Sequence, residues 1–299
     1  MTTDVLPVNV STSVAGVVDR YLADLLGTVP HLVDGVYLTG SVALGDFHAQ
    51  WSDIDFVTVL RERPGKHDLR SLANTHERVA TAYETPRLDG WYLTWDDLYA
   101  PRDPKRTMGL RARGARMHGG RNWVPPALIW HEMDEHGLHV HGPQLAEHDI
   151  ARDPEGVRIW CLETLDTTWT PWWHANARLL SLAGIGSLGT WATASGVLGV
   201  ARIRYTLETG KVTSKCGGGE WALGALDPRW HRILEESLRI RNRPDRRSLY
   251  RSPFRRRRDA LAFIDTVITE AERAVDHGDE HAEQAAGQPD EQPAPEQAS

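Results

Sequence analysis

The sequence predicts an α/β domain, a small sheet with flanking helices, over residues 1–150, and an all-helical domain over residues 151–275. Two observations carry this. Before Pro154 the apolar pattern switches between helical periods and short β-branched runs, in the order helix, strand, turn, strand, helix, strand. After Pro154 the strand patterns fade and helical periods dominate. A third segment, residues 276–299, is acidic, rich in Gln, Ala and Pro, and expected to be disordered.

The elements follow in order. Residues 1–10 read as a loose arm. Ser11, Thr12 and Ser13 are N-cap types ahead of Val14, Val17, Val18, Tyr21, Leu22 and Leu25, whose spacing sets one apolar helix face. Gly27 and Pro30 end that helix. Residues 35–39 read as a short buried strand, broken by Gly40-Ser41, and residues 42–44 can open a helix. Residues 54–60, rich in β-branched side chains, form a second strand, residues 69–83 a helix, and residues 91–94 a third strand. The helical half is expected to hold helices over residues 157–168, 176–182, 192–209, 228–240 and 258–275.

Composition excludes several classes. A 40% apolar, 25% charged chain of 299 residues is neither wholly disordered nor collagen-like, and is long enough for two domains. Two cysteines, Cys161 and Cys216, exclude a disulfide scaffold and a Cys-rich zinc site, and fit the reducing cytoplasm, the expected location. The first basic residue is Arg20, so the charged start of a signal peptide is missing. Seven acids and no Lys or Arg lie in residues 276–299, which leaves 34 acids against 34 basic residues in the body. Bulk charge therefore does not point to nucleic acid. The 23 uncharged residues between Arg178 and Arg202 are long enough to span a bilayer. Five glycines, three serines and two threonines dilute them, so they read as a buried helix pair, and no membrane partner is expected.

The chemistry concentrates in residues 38–57, Leu-Thr-Gly-Ser-Val-Ala-Leu-Gly-Asp-Phe-His-Ala-Gln-Trp-Ser-Asp-Ile-Asp-Phe-Val. Gly40-Ser41 follows a strand and precedes a helix start, where backbone N–H groups point at an anion. Gly40 allows a phosphate to approach the backbone, and the Ser41 hydroxyl adds a hydrogen bond. Asp53 and Asp55 lie two apart on a strand, so both project to one face with Cα atoms about 6.6 Å apart. Carboxylates so placed can share hard divalent cations. Ile54 points the other way, into the core.

Gly-Ser, about ten residues, then Asp-x-Asp between strands resembles the nucleotidyltransferase superfamily, whose fold is a small mixed sheet with flanking helices. That superfamily has a third carboxylate on an adjacent strand. Glu84, Asp89, Asp96 and Asp97 are the candidates. Asp89 heads the 91–94 strand and is preferred, whereas Asp96 and Asp97 follow it as caps for a short helix at Leu98. Residues 201–215, Ala-Arg-Ile-Arg-Tyr-Thr-Leu-Glu-Thr-Gly-Lys-Val-Thr-Ser-Lys, with Glu220-Trp-Ala, are similar to the helical C-terminal domain of the bacterial streptomycin/spectinomycin (3″/9-type) aminoglycoside adenylyltransferases. Residues 87–98 and 136–143 look like that family's third strand and its strand ending in Gly-Pro.

The resemblance implies Mg²⁺ and ATP as co-substrate, and transfer of AMP to a hydroxyl of an aminoglycoside or aminocyclitol with release of pyrophosphate. Asp53, Asp55 and Asp89 would be catalytic and metal-binding. Asp89 stands where the family has a glutamate acting as base, and is one methylene shorter. Gly40, Ser41, Ser52, Arg202 and Lys215 would bind nucleotide, the last two from the second domain. The implied partner is a small cationic acceptor, and a monomer is expected. In one respect the sequence departs: the family's drug-holding acids precede the Ala-Arg-Ile helix, and here no Asp or Glu lies between Asp166 and Glu208. Glu163 and Asp166, helped by Trp169, Trp172 or Trp173, are the candidate substitutes, core packing being the other reading of the tryptophans. Alternative activities are transfer to a protein, RNA or other small molecule, or a catalytically silent nucleotide-binding module.

Three further features stand apart. His131, His136, His139, His141 and His148 crowd one region, but the spacing of His131 and His136 does not share a helix face, so no metal site is expected. Residues 239–258 hold ten arginines and one acid, readable as a solvated face or a phosphate-rich surface. Residues 214–219, Ser-Lys-Cys-Gly-Gly-Gly, lack P-loop spacing and read as a flexible loop carrying Lys215.

Overall fold

The computed structural model of the chain describes residues 11–101, 103, 109–119 and 125–286, with side chains as far as Ala274. The expected arm over residues 1–10 and the end of the expected tail, residues 287–299, lie outside the described residues.

The first half runs α1 (Thr12–Thr28), β1 (Val33–Thr39), the single turn α2 (Gly40–Ala43), β2 (Ile54–Leu60), α3 (Lys66–Ala82), β3 (Leu88–Thr94), the turn α4 (Trp95–Leu98), β4 (Leu110–Arg113), β5 (Arg116–Gly119), α5 (Leu128–His136) and β6 (Leu138–His141). The six strands form one mixed sheet in the order β5-β4-β3-β2-β1-β6. Strands β2 and β3 are parallel, and the other neighbours are antiparallel.

Alternation along the strands sorts side chains between two apolar layers. Ile54, Phe56 and Leu60 of β2 pack with Leu88 and Tyr92 of β3 against Val14, Val17, Val18, Tyr21 and Leu25 of α1 and Leu72 and Val79 of α3. Val57 and Val59 join Trp91 and Leu93 on the opposite face, under Trp130 and Met133 of α5. Asp55 and Asp89 share the parity of that second face, so the sheet that buries the core also aims these carboxylates toward α5.

The second half is helical: α6 (Pro154–Thr164), a π-turn (Leu165–Trp169), α7 (Thr170–Ala177), α8 (Leu182–Gly186), α9 (Thr190–Thr209), α10 (Lys215–Ala225), α11 (His231–Asn242) and α12 (Pro253–Ala286). Its core surrounds α9, where Val197, Val200, Ala201 and Ile203 meet Ile233 and Leu234 of α11 and Phe263, Ile264 and Val267 of α12. Among the described residues no helix is long and apolar enough to cross a membrane.

Three expectations are corrected. Residues 176–182 are not one helix: Arg178 turns extended at the end of α7, and the Ser181 hydroxyl accepts the Gly184 N–H to start α8. Residues 214–219 are not a loop but the head of α10, capped by the Ser214 hydroxyl on the Gly217 N–H. Their glycines serve close packing, because a Cβ on Gly218 would lie 2.6 Å from Arg202 Cα on α9. Residues 276–286, expected to be disordered, continue α12. Extending an existing helix needs no new nucleation, and the Ala, Glu and Gln in this stretch are good helix formers.

Candidate active site

The register of the sheet assembles the acids. Asp55 lies opposite Thr39 of β1 on one side and Asp89 of β3 on the other. Gly40, at φ +57°, begins α2 directly beside them, and a Cβ there would sit 2.2 Å from Asp55 Oδ2. Only glycine satisfies both the left-handed backbone and that approach. Asp53, Asp55 and Asp89 line a cleft of about 370 Å³ together with Gly40, Ser41, Ser52, Arg202 and Lys215. The structure thus brings the sequence-predicted acids and nucleotide-binding residues around one space, between the sheet and the helical half.

The individual contacts differ. Asp53 is held at the rim by Arg87, whose Nε and Nη2 donate to its two oxygens at 3.1 and 2.9 Å. Asp89 accepts the Gly114 N–H at 2.8 Å, and burial, chiefly, raises its carboxyl above the usual range. Asp55 is pushed up to about 8 by burial first, then by the charges of Glu132, Asp89 and Asp53, with Arg202 opposing. Lys215 is pulled down to about 8 by burial and by Arg202 and Arg241, against Asp55 and Asp46. Crowded acids on one wall and crowded cations on the other are what a site for a metal-bound polyphosphate requires.

That environment also tests the fit of Mg²⁺. The sheet wall offers oxygen donors only, as a hard divalent cation prefers. Asp55 carries an excess of neighbouring negative charge that such a cation would relieve. The residues present fit the ion. Asp46, His48 and Cys216 bring three donor atoms within 4.8 Å of one another. The Asp46 carboxylate there already accepts from Cys216 and His48 and faces Arg241, so no cation is assigned to it.

Glu132 and Arg241 are among the cleft residues that escaped the sequence reading. Glu132 of α5 is 6% exposed, lines the cleft, and is raised by burial against the pull of Arg202 and the Gly40 N–H. Arg241 of α11 is 7% exposed and lines the cleft beside Lys215. A buried charge on an amphipathic helix is uncommon without partners, but nothing in the local pattern distinguishes it from a solvated one.

The candidate acceptor group is not brought to the cleft. Glu163 and Asp166 are exposed and line no part of it. Trp169, Trp172 and Trp173 pack on the helical core instead. A Cβ on Gly199 or Gly196 would meet Trp169 at 2.4 Å or Trp172 at 3.1 Å, and Trp173 Nε1 donates to Leu261 O at 3.0 Å. Trp169 and Trp172 fill the space left by glycines on α9, which gives them a packing role. The cleft is walled instead by Trp91, Arg111, Pro126, Leu128, Ile129 and Trp160.

The remaining sequence features are structural. Glu236, fully buried, accepts from Arg239, Ser248 and the Leu249 N–H and lies 3.6 Å from Arg256. Arg256 and Arg257 donate to the carbonyls of Leu188, Asn176 and Ala177. Of the arginines of residues 239–258, these three and Arg241 therefore have internal partners, while Arg258 pairs with Asp259 at the surface and Arg243, Arg246, Arg247, Arg251 and Arg255 are exposed. His131 Nε2 accepts the Asp153 N–H, His139 pairs with Gly142 O, and His148 stacks on Trp95 at 3.6 Å.

Fold and site together define a nucleotidyltransferase, and the nucleotidyltransferase domain model matches residues 20–102. A second model, the aminoglycoside adenylyltransferase C-terminal domain, matches residues 181–254. The chain is an enzyme of the aminoglycoside adenylyltransferase family within the nucleotidyltransferase superfamily. Among solved structures it is similar to spectinomycin adenyltransferase AAD(9) from Enterococcus faecialis, determined with ATP and spectinomycin. The TM-score is 0.58 at 11% identity over 86% of this chain and 98% of that one, a likeness of fold. A search of curated proteins finds no match.

Proposed function

We propose that the protein transfers the adenylyl group of Mg²⁺-bound ATP to a hydroxyl of an aminocyclitol or aminoglycoside antibiotic of the spectinomycin or streptomycin type. One observation carries this reading: Asp53, Asp55 and Asp89 line a single cleft together with Ser41, Ser52, Arg202 and Lys215. The acceptor oxygen attacks the α-phosphorus, the bond from that phosphorus to the bridging oxygen of the β-phosphate breaks, and pyrophosphate leaves. Asp53, Asp55 and Asp89 would hold Mg²⁺, which supplies neutralising charge on the phosphate oxygens when bound. Asp89, the acid next to Asp55 across the strands, is the group to take the acceptor proton, directly or through water. Ser41, Ser52 and the Gly40 turn orient the phosphates, while Arg202 and Lys215 neutralise the charge carried away by pyrophosphate.

A second reading concerns the acceptor alone. Arg111 lies 5.2 Å from the centre of the Trp91 ring on the cleft wall, and among the described residues no carboxylate of the helical half lines the cleft. That wall favours an acceptor with fewer positive charges than streptomycin, such as spectinomycin or a hydroxylated molecule outside this drug class.

Pyrophosphate release from ATP and Mg²⁺, measured over an acceptor panel with Asp53→Asn as control, tests both. Release that needs a drug and Asp53 supports antibiotic adenylylation. ATP binding without release on any drug moves the acceptor to another class, and failure to bind ATP removes the reading altogether.

A further inference from the structure

The loop between Gly40-Ser41 and Asp53 is fixed at its middle by the other half of the molecule. Asp46, 8% exposed, accepts the backbone N–H of Cys216 on Oδ2 at 3.1 Å. Cys216 is the second residue of α10, so a carboxylate of the sheet half satisfies one of the orphan N–H groups at that helix end. Arg241 closes the same joint from α11. Its Nη2 donates to Asp46 O at 3.2 Å and Ser52 Oγ at 3.4 Å, and its Nε lies 3.6 Å from Asp46 Oδ2. Asp46 N donates to Ser41 O at 2.9 Å, and His48 N donates to Ser52 Oγ at 3.2 Å. Both predicted nucleotide serines are thus tied to this joint. On the helical side, Lys215 immediately precedes Cys216, and Asn242 beside Arg241 accepts the Cys216 thiol at 3.2 Å.

We propose that Asp46 is a positioning residue which, with Arg241, locks the head of α10 to the Gly-Ser loop and so holds Lys215 in register with the nucleotide cleft. The proposal rests on reading that cleft as the ATP site. The helical half needs such a device because Lys215 is the first residue of α10, and the direction of its side chain follows where that helix begins. Asp46 touches no substrate in this scheme. Its carboxylate meets a main-chain N–H and a guanidinium, and acts through the helix they belong to. Burial opposes the charge on Asp46, but Cys216, Arg241 and His48 hold its carboxyl below the usual range, so the lock stays ionised around neutral pH.

Two measurements on the full chain test this, one of which needs no ATP. Cys216 is buried at the joint, and Cys161 is buried in the helical core. Under native conditions a thiol reagent, with the labelled peptide located by mass, should reach Cys216 at least about tenfold faster in Asp46→Ala than in the unaltered chain, with Cys161 still protected. Asp46→Asn, which keeps an acceptor for the Cys216 N–H, should fall between them and guards against a variant that folds poorly. Equal Cys216 labelling in all three chains, or labelling of both cysteines together, overturns the lock. The second measurement is the Kd for ATP with Mg²⁺. Asp46→Ala should weaken binding about tenfold to a hundredfold, as misplacing a binding group does. Adding Lys215→Ala should weaken it little further, because both changes remove the same interaction. Fully multiplicative effects, or an unchanged Kd despite faster labelling, overturn the positioning role. An unaltered chain that binds no ATP defeats the reading of the cleft, and the labelling result still decides the lock.

Discussion

Asp55 is buried among three other carboxylates, and that placement sets a pH dependence. Folded, it keeps its proton up to about pH 8, while an unfolded aspartate ionises near 4. Between those values folding takes up a proton, so this residue's contribution to stability falls as pH rises. Asp55→Asn should therefore be more stable than the unaltered chain at pH 8, by up to about 5 kcal/mol, with the gain vanishing toward pH 4. Urea titrations at the two pH values check this; an equal difference at both would remove the electrostatic explanation. Asp89→Asn should lower turnover about 10²–10⁴-fold, and Asp89→Glu should retain far more, in an assay of pyrophosphate release. Asp53 and Asp55 were legible because a period of two on a strand dictates a shared face. Glu132 was not, because Leu128-Ile-Trp-His-Glu-Met-Asp-Glu-His136 spreads five charged or polar residues over both faces of a short helix. Only packing against β1 tells which of them goes inside.

At the scale of elements, the glycines of α10 were the least legible feature. Gly217, Gly218 and Gly219 lower helix propensity and so imitate a loop. Their reason lies on another element: α10 approaches α9 so closely that a Cβ on Gly218 would strike the backbone of Arg202. Gly218→Ala should cost about 1–3 kcal/mol in stability despite its better propensity, and should weaken ATP binding by displacing Arg202. Thermal unfolding and ATP titration of this variant check it, and an unchanged Tm would mean that the helices part freely. The arginine-rich segment hid a similar dependence on partners. Glu236 looked like one more acid on α11, yet it is the buried anchor for Arg239, Ser248, the Leu249 N–H and nearby Arg256. Glu236→Ala should destabilise the chain by about 3–5 kcal/mol, because the arginines would stay buried without their counter-charge. Equilibrium unfolding decides it. Strands β1, β2 and β3 and helices α1, α3, α9 and α11 were readable from periodicity, whereas the four-residue strands β4 and β5 are too short to show one.

The whole molecule gathers the cleft from both halves. Asp53, Asp55, Asp89 and Glu132 come from the sheet half, which also supplies Arg111, and Arg202, Lys215 and Arg241 come from the helical half. The resemblance carried by residues 201–215 made this division visible in the sequence. A wall for the proposed acceptor was not legible, because two of the tryptophans that suggested one pack against glycines on α9. Arg239, Arg256 and Arg257 are likewise committed to internal partners, and the exposed arginines of residues 239–258 belong to a chain of net charge −7, so the protein should show little salt-sensitive retention on a polyanion column at neutral pH. Retention that weakens steeply with salt would restore the basic surface that the sequence alone allowed.

Helix α6 begins at Pro154, just past the last strand of the sheet, so a single short stretch of chain carries the protein from its acids to its cations. A product truncated there, or a chain nicked there whose halves drift apart, keeps either Asp53, Asp55 and Asp89 or Arg202, Lys215 and Arg241, but not both sets. The sheet fragment would attract metal without gripping a triphosphate, and the helical fragment would present cations with nothing to orient them. Under the proposed transfer from ATP, neither half could carry out the reaction alone, so an intact polypeptide would be a condition of turnover.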